Sequence, residues 1–153
     1  MTGAASLGRL NGIIRVLEAG KPALACFSKI DRQSAIEMAD APYDGLVYEM
    51  EHNPDDVAAL GNALKYMLSR KAMVESGSVA PGVTPLARIP ANGCEMNQFQ
   101  ARQALNRGAH GVITPHVGAK NVERLIGEGF RFLLSAPSRS YGVVGQGREL
   151  AGY

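Results

Sequence analysis

Residues 44–53 read Asp44-Gly45-Leu46-Val47-Tyr48-Glu49-Met50-Glu51-His52-Asn53, an apolar run that breaks off into acids and a histidine. The run predicts a buried strand over 45–51. In a parallel α/β protein both faces of such a strand are covered, and its C-terminal end opens into a crevice where polar groups meet ligand. His52 is the side-chain type that titrates nearest neutral pH, and Glu49 or Glu51 could orient it or share its proton. This stretch therefore proposes both a fold and a site.

Working outward, the same alternation recurs. Toward the N-terminus, Leu7, Leu10, Ile14 and Leu17 fall at helical spacing before the stop signal of Gly20 and Pro22. A short strand is expected over 23–28 (ALACFS), and Ser34 with Glu37 reads as a capping box opening a helix that Pro42 closes. On the other side, Asn53, Pro54 and Asp56 open a helix expected to run to about Lys71, with Val57, Leu60, Leu64, Met67 and Leu68 as its stripe. Residues 75–82 (ESGSVAPG) read as loop.

A third strand is predicted over 84–89 (TPLARI), with Pro85 near its start, and Asn92 with Glu95 reads as a further cap. Ala101, Ala104 and Leu105 form the inward face of a helix that Gly108 ends, and Phe99 and Met96 read as packing residues. Strands follow over 111–117 (GVITPHV) and 130–134 (FRFLL), separated by a helix from about Lys120, and the tail from Ser135 reads as irregular. Strand and helix alternate throughout, which predicts parallel βα units and about five strands.

Composition narrows the function. The chain has 153 residues with 46% hydrophobic side chains, enough for the core of a single domain over 1–153. Sixteen basic residues against 14 acidic ones, without a run of one sign, argue against a nucleic-acid footprint. No stretch approaches the ~20 apolar residues of a membrane helix, and no leader is evident, so a cytoplasmic protein that makes no membrane contact is expected. Cys26 and Cys94 lack any metal or redox spacing and read as buried, reduced thiols. His110 follows a helix-ending glycine and reads as solvent-facing.

Three strand ends now line up: EMEHNP at 49–54, RIPANG at 88–93 and GVITPHV at 111–117. Together with QALNRGAHGVITPHV and GFRFLLSAPSRSYG, in that order, they resemble the HpcH/HpaI aldolase and citrate lyase family. The resemblance implies a TIM (β/α) barrel that cleaves or forms a carbon–carbon bond beside a 2-oxo acid, using a divalent metal (Mg, Mn or Co). Carried over, Arg88 is the enolate-stabilising and substrate-binding arginine, His52 the acid/base histidine and Glu49 its pairing acid, where many relatives carry aspartate. Pro115 and His116 fall in the substrate-binding strand end. Charge developing on an enolate oxygen is what a fixed guanidinium stabilises best.

The chain also departs from the family. A full barrel needs about 250 residues and eight strands. The family's metal-binding Glu and Asp find no counterpart, and Glu49 with Glu51, two carboxylates from one strand, make a weak cage. The sequence passes from the fourth-strand motif directly to the family's ending, which places a deletion seam near 115–119. The expected architecture is thus an incomplete TIM barrel of about five parallel strands, whose exposed sheet edges predict homo-oligomerisation. The expected activity is metal-dependent (retro-)aldol cleavage of a 2-oxo acid, giving pyruvate or a similar product. The alternative is a catalytically inactive remnant acting as a weak anion-binding or interaction module. A flavodoxin-like domain also fits the strand count, without a Gly-rich phosphate loop after its first strand.

Overall fold

The computed structural model describes residues 9–90, 98–115 and 132–134. It is an α/β unit with five parallel strands, β1 (Ala25–Ser28), β2 (Gly45–Glu49), β3 (Thr84–Arg88), β4 (Val112–Thr114) and β5 (Phe132–Leu134), lying side by side in chain order. Sequential order is how a barrel grows, each βα unit adding its strand beside the last. A flavodoxin-like sheet would instead place its first strand inside the second and third. The order removes that rival.

The two faces of the sheet bury different sets. Leu46 and Tyr48 of β2, Ala87 of β3 and Val112 of β4 join Ala35, Leu60, Ala63, Leu64, Ala101 and Ala104 in the larger core. These last six lie on α2 (Arg32–Met38), α3 (Val57–Tyr66) and α5 (Gln98–Asn106), so this is the face that the crossover helices cover. Alternate residues Val47, Leu86 and Ile113 form a second cluster with Ile13 of α1 (Gly12–Glu18). Because side chains alternate along a strand, Glu49 and Arg88 belong to this second face. Full burial of Leu46 and Leu60, both 0% exposed, is worth about 1.5–3 kcal/mol each.

Helix α1 seats against the N-terminal ends of the strands. Asn11 caps it by accepting from the Ile14 N–H at 3.1 Å, and the Gly12 N–H donates to the buried Thr84 Oγ1 at 2.7 Å. A Cβ on Gly45 would stand 2.4 Å from Ile13 Cδ1, so any larger residue there would have to displace the Ile13 side chain. The predicted helix stripe began too early: Leu10 lies before the helix and is 42% exposed, and Leu7 is outside the described residues.

Caps account for the other shifts. The cap of α2 is Asp31, whose carboxylate accepts from the Ser34 N–H at 2.8 Å and the Ser34 hydroxyl at 2.9 Å. Ser34 is thus a donor to the cap, and Glu37 accepts from Gln33 instead of closing a box. Asp56, not Asn53, caps α3, accepting from the Ala59 N–H at 2.8 Å. The long helix expected to Lys71 breaks at Met67, and Ser69 caps a separate α4 (Arg70–Ser76) that ends on left-handed Gly77. Leu68 falls in the break and is 53% exposed. Phe99 and Leu105 are 48% and 38% exposed, so the inward face of α5 is Ala101 and Ala104 alone among the expected residues. Asn92, Cys94, Glu95, Met96, the helix from Lys120 and the tail lie outside the described residues.

Candidate active site

Strand register brings the charged residues together. Glu49 pairs with Arg88 across β2 and β3, and the ladder runs one step past β2 through a bond from the Met50 N–H to the Arg88 carbonyl at 2.9 Å. Both residues therefore stand at the C-terminal ends of neighbouring parallel strands, on the face lined by Val47, Leu86 and Ile113. This is the end of a barrel where catalytic groups gather.

Glu49 is held on both carboxylate oxygens. Oε1 accepts the backbone N–H of Glu51 at 2.6 Å and of His52 at 3.2 Å, folding the segment after β2 back over the strand end. Oε2 accepts from Arg88 Nη2 in a charge-assisted hydrogen bond. Glu51 reaches the same guanidinium from another edge, its Oε2 lying 3.2 Å from Arg88 Nε. That contact is an ion pair and not a hydrogen bond, because among the described residues Nε has no partner along its N–H direction. Phe27 of β1 closes the guanidinium from its face, ring centroid 4.7 Å from Cζ. Burial pulls the arginine somewhat below its ordinary pKa and leaves it charged at neutral pH.

The histidine is placed differently from its expected partnership. His52 Nε2 lies 3.6 Å from Glu51 Oε2, with its side chain 72% exposed, while Glu49 contacts only its backbone. Glu51 is the carboxylate that faces the ring; Glu49 organises the loop and the arginine. Glu49 is tied instead to the turn, through the N–H groups of Glu51 and His52. Pro115 is fully buried in the turn after β4, and His116 lies outside the described residues. Phe27 was not legible as a site residue. Its alternation with Cys26, which packs on the helix-covered face, is the signal that puts its ring on the Arg88 side.

His110 is half-buried at the opposite end of β4, not solvent-facing: its N–H donates to the Pro85 carbonyl at 2.8 Å and its carbonyl accepts from Asn11. Burial lowers its pKa. Cys26 is a free, half-buried thiol whose pKa desolvation raises, as expected of an unreactive cysteine.

The residues in place do not fit a resident divalent metal. Among the described residues no group of three or more His, Cys, Asp or Glu side chains could hold one. Glu49 and Glu51 both face a guanidinium, and a cation between them would meet that charge. Nor is any helix among the described residues long and apolar enough to cross a membrane.

No protein-family model matches the sequence, and no curated protein matches it. Solved structures do. The chain is similar to an HpcH/HpaI aldolase/citrate lyase family protein from Burkholderia cenocepacia J2315, with a TM-score of 0.58 and 20% identity over 92% of this chain and 52% of that one. It is also similar to citrate synthase SbnG, with a TM-score of 0.55 and 21% identity over 77% of this chain and 42% of that one. The chain spans about half the length of the structures it matches. At this identity the likeness is one of fold, and it establishes a partial (β/α) barrel similar to that of an HpcH/HpaI aldolase/citrate lyase family protein.

Proposed function

We propose that this chain carries the 2-oxo-acid side of a carbon–carbon lyase site of the HpcH/HpaI type, cleaving a 4-hydroxy-2-oxo acid to pyruvate, or a similar 2-oxo acid, and an aldehyde. The observation that carries the reading is one part-buried guanidinium, Arg88, held at a strand end beside a carboxylate–histidine pair, Glu51 and His52.

The chemistry follows from these groups. Glu49 meets the guanidinium at Nη2 and Glu51 lies beside Nε, and this reading assigns the substrate's carboxylate or keto oxygen to Nη1. His52, with Glu51 behind it, accepts the proton of the 4-hydroxyl. The C3–C4 bond then breaks, its electrons move to the C2 oxygen, and the aldehyde leaves. Arg88 stabilises the enolate oxygen. Return of the proton from His52 to C3 completes the 2-oxo acid. No step is assigned to a metal, because the described donor set does not fit one.

Charge sets the cost of entry. Two carboxylates and one guanidinium sum to −1, and a pair of unit charges ~4 Å apart at an effective dielectric near 20 is worth about 4 kcal/mol. An anionic substrate therefore binds by competing with Glu49 and Glu51 for the guanidinium. The same balance supports the second reading, an anion-binding remnant without turnover. Incubation with 4-hydroxy-2-oxobutanoate or a longer homologue, with pyruvate read through lactate dehydrogenase, separates the two. The lyase reading expects pyruvate release that Arg88→Ala and His52→Ala each reduce at least a hundredfold. Saturable pyruvate binding without turnover, with or without added Mn²⁺, selects the remnant.

A further inference from the structure

We propose that Phe27 is the positioning residue for Arg88 and the apolar wall of the same site, an assignment that rests on the function proposed above. Phe27 pairs in register with Val47 on β2 and shares the face of Val47, Leu86 and Ile113, all three of which are buried. Phe27 is 59% exposed. A parallel strand buried on both faces does not ordinarily present a phenylalanine to solvent. The Arg88 guanidinium stacks on its ring.

Stacking does what the two carboxylates cannot. Glu49 and Glu51 hold edges of the guanidinium in its plane, but the Glu51 contact is off-line and leaves the plane free to tilt about the Glu49 bond. An aromatic face fixes that tilt and favours the cation by an amount that grows as water is displaced. The exposed phenylalanine leaves an apolar surface beside the guanidinium. A small 2-oxo acid has one charged end and one short apolar end. The guanidinium takes the first and the ring the second.

The test is calorimetric titration of the full chain with pyruvate and with 2-oxobutanoate, comparing wild type, Phe27→Leu, Phe27→Tyr and Arg88→Ala. Phe27→Leu should weaken pyruvate about threefold to tenfold and abolish any preference for 2-oxobutanoate, while Phe27→Tyr, which keeps the aromatic face, stays within about twofold of wild type. Unchanged affinity in Phe27→Leu, or equal losses in both variants, overturns the assignment where Arg88→Ala still abolishes binding. If Arg88→Ala binds as wild type, or wild type does not bind, it is the function reading that falls. Phe27 is then judged by the Arg88 Nε–Hε resonance in ¹⁵N-labelled protein. Ring-current displacement that is lost in the leucine variant and kept in the tyrosine variant upholds the positioning role, and a resonance unmoved by Phe27→Leu overturns it.

Discussion

The two ends of the same strands are built on opposite principles. At the N-terminal end, donors and acceptors close on one another: Gly12 on Thr84, the Leu24 N–H on Asp44 Oδ2 at 2.8 Å, the Thr84 N–H on the Asp44 carbonyl at 3.0 Å, and Asn11 on the His110 carbonyl. At the C-terminal end, two carboxylates share one guanidinium, Arg88 Nε lacks an aligned partner among the described residues and a phenylalanine stands open to solvent. Saturated bonding serves stability. Unsaturated, like-charged groups destabilise the fold and keep capacity for a ligand.

The comparison breaks most visibly at Arg88. Arg88→Met leaves the Glu49 and Glu51 side chains, 10% and 6% exposed, as facing anions, and should destabilise the fold by about 3–5 kcal/mol in urea unfolding at pH 7. Adding Glu49→Gln and Glu51→Gln should recover most of it. A wild-type melt for Arg88→Met at pH 7 would mean that the charges are not coupled.

At the other end, Thr84→Val keeps shape and removes the acceptor of the buried Gly12 N–H, a loss of about 1–3 kcal/mol by the same melts. It should leave pyruvate affinity untouched, and a change there would show that the ends are not separate. The smallest effect is expected from His110. Its folded pKa is depressed by burial, so the unfolded state gains a proton first, and stability falls as the pH drops below the ordinary value of 6.5. His110→Gln should flatten that part of the stability–pH profile, with identical slopes between pH 7 and 5 counting against it.

The sequence reading reached the strands and their order of appearance because apolar runs bounded by Gly, Pro and charge are local signals. It placed Glu49, Arg88 and His52 at strand ends for the same reason. Caps were less legible: Asp31 and Ser34 both qualify by residue type, and only the donated Ser34 N–H decides between them. The pairing within the site was not legible at all. Glu49 and Arg88 are 39 residues apart and meet through strand register, while the choice of Glu51 over Glu49 as the neighbour of the His52 ring depends on a turn that Glu49 itself ties down. Phe27 became visible only when the alternation of β1 was set against its neighbour.

The central claim is that Arg88 is held open for an anion at the C-terminal end of the sheet. Calorimetric titration of the purified chain with pyruvate, wild type against Arg88→Ala, tests it most directly. Saturable binding in the wild type that disappears in Arg88→Ala is the predicted result. Equal heats from both proteins, with both folded by circular dichroism, would contradict it.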